Sequence, residues 1–268
     1  MKIAVCVKQV PDSWAEKKMS ADGRLDRAGV DAVLNDLDEY AVEAALKLVE
    51  VSSPTGEAGE GSGHTITVIS MGPERASEAL RKALSMGVDD AILVSDEALA
   101  GSDALATSKV LAEVIRNGGF DLVICGTEST DARMSVVPAM LAERLNFAQL
   151  TFAGSVAVSG STVSISRQTE FGVEEMKADF PVVVSVVEKI NEPRYPSFKG
   201  IMASKKKPLV TQSLAEVGLT ASEVGSSAAW SSVKDALPRP ARGAGIKVVD
   251  DGTGGDQLVS FLAERKLI

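Results

Sequence analysis

The sequence predicts an α/β protein: a mostly parallel, Rossmann-like sheet with helices on both faces, an added antiparallel hairpin and a C-terminal arm. Three observations predict it: four short apolar runs recur before residue 126, amphipathic helical patterns separate them, and the period shortens to two near residue 150. The first run, Ile3-Ala4-Val5-Cys6-Val7, is continuously apolar up to Lys8 and suits a strand buried on both faces. Pro11 and Asp12 break it and open a polar connection through Gly23 and Gly29. Asn35 is placed to cap a helix whose Leu37, Ala41, Ala44, Ala45 and Leu48 share one face. Ser52 to Gly63, rich in Gly, Ser and Glu, reads as an exposed loop. Ile66–Ile69 is the second strand, and Pro73 suits the first turn of a helix that buries Ala76, Ala79, Leu80 and Ala83 and stops at Gly87. Glu78 and Lys82 form an i,i+4 pair on its outer face. Ala91–Val94 is the third strand, Ser102 caps a helix running to about Asn117, and Leu122–Cys125 is the fourth strand.

Beyond residue 150, Val156/Val158 and Val163/Ile165 alternate around Ser159-Gly160-Ser161, the signature of an antiparallel hairpin. Pro181–Val187 is another buried strand, with proline at the one position where it costs no ladder bond. Asn191 to Leu209 carries three prolines and the run Lys205-Lys206-Lys207 and reads as exposed. Ser222 to Gly245 is small and polar, like a linker. Gln257 to Ile268 places Leu258, Phe261 and Leu262 at helical spacing, in a helix too short to persist undocked.

Composition excludes several classes of function. The 28 Lys plus Arg against 37 Asp plus Glu leave a net charge of −9, which opposes binding to a phosphate backbone. Eleven aromatic residues are too few for base-stacking platforms, and no apolar run is long enough to span a membrane. Cys6 and Cys125 lie in apolar runs and read as buried thiols. With no CxxC and a single histidine, His64, zinc sites and histidine triads are excluded. The chain enters a strand at once, without a basic region and cleavage site, so the expectation is an intracellular protein.

In an open parallel sheet, ligands bind beyond the carboxyl ends of the strands, where strand order reverses. The loop after the fourth strand is Gly126-Thr127-Glu128-Ser129-Thr130-Asp131, followed by Ala132-Arg133-Met134-Ser135. Gly126 would let a ligand approach the backbone, Ser129 and Thr130 offer hydroxyls, and Asp131 could accept from ribose. Ser135 is placed to cap the next helix, whose free amides suit a phosphate; Pro138 is tolerated in its first turn and Val137, Met140, Leu141 and Leu145 face inward. Lys8, Gln9, Asn35 and Met71-Gly72 stand at neighbouring strand ends, and together these residues outline an adenosine pocket. The same loop also suits a plain capped turn without a ligand. GxGxxG after the first strand, GxxxxGK[ST] and an SGGxDS-like loop are all missing, which disfavours dinucleotide, P-loop and pyrophosphatase chemistry. Asp89/Asp90 and Asp250/Asp251 sit in turn or tail contexts.

Four blocks stand in order along the chain. They are Val5-x-Val7-Lys8-Gln9-Val10-Pro11-Asp12; Asn35 with Asp38-Glu39-x-Ala41-Val42-Glu43-x-Ala45; and Met71-Gly72-Pro73 with Arg81-x-Ala83-Leu84-Ser85-Met86-Gly87. The fourth, Ile165-x-Arg167-x-x-Glu170-x-Gly172-x-Glu174-x-Met176, leads into Pro181-x-Val183-Val184 and Asn191-Glu192-Pro193-Arg194-Tyr195. In order and spacing the chain resembles the electron transfer flavoprotein β subunit family over essentially its full length. The resemblance implies a non-catalytic electron carrier: a heterodimer with an α subunit that holds most of a redox-active FAD, while β buries a structural AMP. Electrons would come from flavin dehydrogenases, including the acyl-CoA dehydrogenases of fatty acid oxidation, and pass to a quinone reductase. The implied compartment is the cytoplasm, or the mitochondrial matrix in a eukaryote.

Carried over by position, the AMP contacts are Cys6, Asn35, Met71, Gly126, Thr127, Glu128, Ser129, Thr130, Asp131, Met134, Ser135, Val136 and Val137. Asn191, Glu192, Pro193, Arg194, Tyr195 and Phe198 fall in the segment 191–200 that resembles the family's dehydrogenase-recognition loop, with Phe198 as its apolar anchor. The loop from Pro11 to Trp14 is similar to one laid over the flavin. The implied division is a nucleotide-binding domain over 1–235 and an arm over 236–268 that docks on the partner subunit. Gln168, Phe171 and Arg133-Met134-Ser135 depart from the family pattern. The Gln168 departure questions an ion pair to the partner's flavin domain, and Arg133 suits either a phosphate or solvent. Two other readings stay open: an electron-bifurcating relative with a second FAD in place of AMP, and a nucleotide-binding regulatory domain similar to universal stress proteins.

Overall fold

The computed structural model describes residues 1–53, 63–237 and 239–268; most of the loop expected between Ser52 and Gly63 lies outside them. The chain opens with β1 (Lys2–Cys6), then a short antiparallel pair, β2 (Gln9–Pro11) and β3 (Ala32–Leu34), and α1 (Asp36–Ser52). The alternation continues through β4 (Thr65–Met71), α2 (Ser77–Met86), β5 (Asp90–Val94), α3 (Ala104–Gly118), β6 (Leu122–Gly126) and α4 (Val137–Leu145). β7 (Ala148–Ala153) precedes three antiparallel strands, β8 (Ser155–Ser159), β9 (Thr162–Thr169) and β10 (Gly172–Asp179). β11 (Val182–Val186), α5 (Phe198–Ser204), β12 (Leu209–Gln212) and the short turns of helix α6 (Leu214–Val217) and α7 (Gly225–Ala228) follow.

The main sheet has seven strands in the order β12-β5-β4-β1-β6-β11-β7, and every pairing is parallel. Successive side chains point to opposite faces, so the apolar runs fill two cores. Ile3 and Val5 join Ala41, Leu80 and Leu84 on the α1/α2 face. Ala4 and Cys6 join Val110, Ile115 and Leu141 on the α3/α4 face. The chain moves outward from β1 to β4 and β5, then crosses to place β6 on the other side of β1. Strand order therefore reverses between β1 and β6. The expected hairpin is β8/β9, with Ser159 opposite Thr162, and its Val163 and Ile165 close one end of the α1/α2 core.

Contacts fall into two units, Met1–Lys234 and Asp235–Ile268. The second holds one helix, α8 (Gly254–Glu264), with no buried residue; it starts three residues before the stretch expected from apolar spacing.

Several local expectations are corrected. The side chain that caps α3 is Asp103, accepting from Ala106 N–H at 3.0 Å, while Ser102 instead donates to Leu99 carbonyl. Glu78 and Lys82 do not pair; Lys82 reaches Glu39 at 3.9 Å and Glu78 reaches Arg75 at 3.6 Å. Pro73 precedes a 3-10 turn, Glu74–Ala76, rather than opening α2 itself. Strands β2, β3, β7, β10 and β12 add to those expected, and Pro11, expected to open the polar connection, instead ends β2, paired with Ala32 of β3. Residues 222–228 are not linker, because Val224 is buried in the α3/α4 core. In the lysine run, Lys207 is half-buried and anchored: its ammonium donates to the Leu84 and Val88 carbonyls at 3.3 and 2.5 Å.

Candidate functional site

The carboxyl ends of β1 and β6 lie side by side, with Cys6 in register with Cys125. Both thiols are buried, and Cys125 is pushed well above the usual thiol range by the Cys6 sulfur beside it and by burial. Past β1, the Lys8 amide donates to Asp38 Oδ2 at 2.8 Å and the Lys8 carbonyl accepts from Asn35 N–H at 2.9 Å, which stitches the strand to the start of α1. Asn35 occupies the N-cap position, but its side chain makes no cap bond. Fully buried, it reaches across to the β6 loop: Nδ2 donates to the Glu128 carbonyl at 2.9 Å and Oδ1 accepts from Thr130 N–H at 3.0 Å. Thr127 Oγ1 ties the same loop to the end of β11 through the Val186 carbonyl at 2.6 Å.

Gly126 is required here by packing. A Cβ on it would stand 2.5 Å from Asp38 Oδ1 and 2.8 Å from the Leu37 backbone, so the first turn of α1 fills the space that the sequence suggested for a ligand.

Charge concentrates on the loop's far end. The Asp131 carboxylate, with no exposed side-chain surface, accepts from Lys8 Nζ at 2.8 Å and from Arg27 at 2.9 and 2.7 Å. Burial raises its pKa, but Lys8, Ser129 and Arg27 together outweigh that and hold it at about 2. Asp38 behaves oppositely: burial pushes it up to about 7, against hydrogen bonds from Asn35 and the Lys8 amide. Lys8 also reaches Ser129 Oγ at 3.3 Å, Lys17 donates to the Thr130 carbonyl at 3.1 Å, and Arg133 stands 3.6 Å from Glu128. Four cations thus gather at this loop, Lys8 and Arg27 on Asp131, Arg133 beside Glu128 and Lys17 on the Thr130 carbonyl, on a chain whose net charge is −9. Lys17, Arg27 and Asp38 were not singled out as site residues. The first two lie in an irregular polar loop without periodicity, and Asp38 reads as one of the acids normal to a helix start.

The remaining expected nucleotide contacts stand at strand ends and at the start of α4. Cys6 and Met71 end β1 and β4 on the α3/α4 face, and Val136 and Val137 begin α4. Ser135 does not cap α4; its hydroxyl donates to Glu128 Oε2 at 2.8 Å. Arg133 and Ser135 both take positive φ (50° and 55°), so the loop turns sharply between them, with Met134 exposed.

Segment 191–198 lies against α1. Asn191 Nδ2 donates to the Tyr40 carbonyl at 3.0 Å, and Arg194 pairs with Glu43 and Glu50. Tyr195 and Phe198 are 95% and 80% exposed. A cleft of about 860 Å³ brings the two expected groups together, since Thr127, Glu128, Thr130 and Arg133 line it opposite Glu192, Pro193, Arg194 and Tyr195. Trp14 is exposed on its own loop. Gln168 donates within its hairpin to the Thr169 and Gly172 carbonyls, and Phe171 is exposed at the hairpin tip. Among the described residues no cluster of three potential metal ligands occurs, and no helix is long and apolar enough to cross a membrane.

A fully parallel, doubly wound sheet whose anchored loop and cationic rim sit at the strand-order reversal defines a Rossmann-like α/β module with a candidate ligand site at that point. The electron transfer flavoprotein domain matches residues 22–217. The chain is 47% identical over 99% of both chains to the electron transfer flavoprotein subunit beta of Mycobacterium bovis. It is 35% identical, over all of both chains, to the protein of that name from Megasphaera elsdenii, and 34% identical over all of both chains to the caffeyl-CoA reductase-Etf complex subunit CarD of Acetobacterium woodii. The chain belongs to the electron transfer flavoprotein family, as a β subunit, and that membership implies an α-subunit partner.

Proposed function

We propose that this chain is the β half of a heterodimeric electron carrier: it holds AMP as a structural ligand and helps to seat the FAD of the α subunit. The observation that carries the reading is the loop 126–131, clamped by Asn35 and rimmed by Lys8, Lys17, Arg27 and Arg133 where strand order reverses. The donor set fits a mononucleotide. The cations and the amides at the start of α4 would meet the phosphate, the Ser129 and Thr130 hydroxyls would meet the ribose, and the strand ends at Cys6 and Met71 would border the base, while Asp131, enclosed by Lys8 and Arg27, would hold those cations in place. AMP would do no chemistry there; it would fix the loop and the start of α1.

FAD supplies the redox chemistry when bound, and this chain supplies position and surface. The loop carrying Trp14 would cover the flavin, the arm from residue 236 would embrace the α subunit, and Phe198 would enter a pocket on a flavin dehydrogenase. Electrons would then pass to a quinone reductase, with the complex working in the cytoplasm.

Co-expression with the α chain and mass spectrometry of the released ligands test the reading. One FAD and one AMP per heterodimer are expected. Two flavins would overturn the AMP assignment in favour of a bifurcating carrier, and a colourless monomer that ignores the α chain would overturn the whole reading.

A further inference from the structure

The exposed segment that carries Tyr195 and Phe198 is held at both ends. At its start, Arg194 spends its guanidinium inside the molecule. Nε and Nη2 donate to Glu43 at 2.7 and 3.0 Å, Nη1 and Nη2 donate to Glu50 at 2.7 and 3.1 Å, and the Arg194 amide donates to Glu43 Oε2 at 3.2 Å. Glu43 and Glu50 are seven residues apart, two turns of α1, so one helix face presents both carboxylates. Glu43 keeps only 3% of its side chain exposed, and the bond to the Arg194 amide makes it a direct hold on the segment's backbone.

At its other end, α5 is seated on α2. Gly200 lies so close that an added Cβ would be 2.5 Å from the Ser85 carbonyl, and Arg81 donates to the Ser204 and Lys207 carbonyls at 2.6 and 2.8 Å. Between these two anchors the largest apolar side chains face water. An apolar side chain projected from a pinned backbone loses less freedom on docking than one on a loose loop.

We propose that Glu43 and Glu50 are positioning residues for electron delivery: through Arg194 they fix the backbone of 191–198, and with it the placement of Tyr195 and Phe198 against a partner dehydrogenase. The planar fork of arginine suits this role, because it engages two carboxylates at once; the point charge of lysine cannot hold both in fixed directions. The inference rests on reading this segment as the dehydrogenase-facing one. It adds that Arg194 serves the contact from behind.

The test uses the purified α–β complex as electron acceptor for a flavin dehydrogenase, with Glu50→Gln, Arg194→Lys and Phe198→Ala each measured. Glu50→Gln and Arg194→Lys are expected to raise the KM for the carrier between about 5- and 100-fold, the scale set by misplacing a docking group by an ångström. The kcat at saturation, the flavin content and the nucleotide content should stay at wild-type values. Phe198→Ala should add little to KM in the Arg194→Lys background, since both act on one contact. A lowered melting temperature with an unchanged KM in both clamp variants would make the ion pair merely structural and overturn the inference. If Phe198→Ala leaves KM unchanged, the dehydrogenase-facing reading fails instead. Glu50 is half-buried at the rim, so its variant keeps the test decisive should Arg194→Lys fail to fold.

Discussion

Removing the Asn35 side chain tests whether a single buried amide holds the loop 126–131, the proposed nucleotide contact. Asn35→Ala deletes two bonds that span more than ninety residues of sequence, and it strands the Glu128 carbonyl and the Thr130 amide in a partly buried setting. Each stranded group costs about 1–3 kcal/mol, and partial access to water favours the lower half, so the loop should lose about 2–4 kcal/mol of stability. Were all of that loss to fall on a held–released equilibrium with no stability in reserve, apparent nucleotide affinity would drop by at most roughly 30- to 1000-fold, in proportion to the fraction of competent loop. Asn35→Asp separates the two bonds: it still accepts from Thr130 but cannot donate to Glu128, and it adds charge beside Asp38. The assay is nucleotide retained per heterodimer after dialysis, measured by mass spectrometry, alongside urea unfolding. Full occupancy in Asn35→Ala, with a stability loss under about 0.5 kcal/mol, would refute the clamp.

Asp38 and Asp131 predict opposite pH responses. Asp131 is held near 2, below its ordinary 3.8, so its contribution is present above about pH 4 and is lost as pH falls towards 2. Asp38 sits near 7, above 3.8, so the folded state binds a proton that the unfolded state does not, and stability falls as pH rises from 4 to 7. Asp38→Asn should therefore gain on wild type by up to a few kcal/mol between pH 5 and pH 8, read from urea midpoints; an equal gap at both values would contradict the buried-carboxyl account. Gly126→Ala forces a methyl against the Leu37 backbone and should cost about 1–3 kcal/mol in thermal unfolding, and a melting temperature like wild type would remove the packing role assigned to that glycine. Phe198→Ala should slow electron transfer from a dehydrogenase without loss of flavin or nucleotide, and wild-type transfer rates would dismiss it as the anchor.

The features legible in the sequence are those with local causes. The apolar runs of β1, β4, β5 and β6 declare themselves because strands buried on both faces must be apolar throughout, while Gly87 marks the end of α2 and Ser159-Gly160-Ser161 the β8/β9 turn by backbone need. The strands the sequence concealed lack that signature. β10 reads Gly172 to Asp179 with most side chains exposed, and β12 and β7 lie at the sheet's edges, where only one neighbour constrains them. Capping shows the same limit at a finer scale. Ser102 and Asp103 are equally able caps, and the choice of Asp103 goes with a distant partner, since its second oxygen accepts the Trp230 and Ser231 amides at 2.8 and 3.1 Å.

The site follows the same rule and explains why resemblance carried further than periodicity. The loop 126–131 can be located from strand ends alone, but what holds it in place comes from elsewhere: Asn35 from the start of α1, and Lys8, Lys17 and Arg27 from the connection after β1. Read locally, Asn35 is a helix cap and Gly126 a place for a ligand. In three dimensions the amide belongs to the loop and the glycine's space belongs to α1. Both reversals arise because α1 crosses the carboxyl end of β6, a contact fixed by the order of strands. Glu43 and Glu50 follow from the same helix: once its first turn is pinned at the loop, its next turns fall beneath segment 191–198. The two proposed regions therefore share α1 as a support, and on that proposal a change that shifts α1 along its axis should disturb nucleotide retention and dehydrogenase docking together.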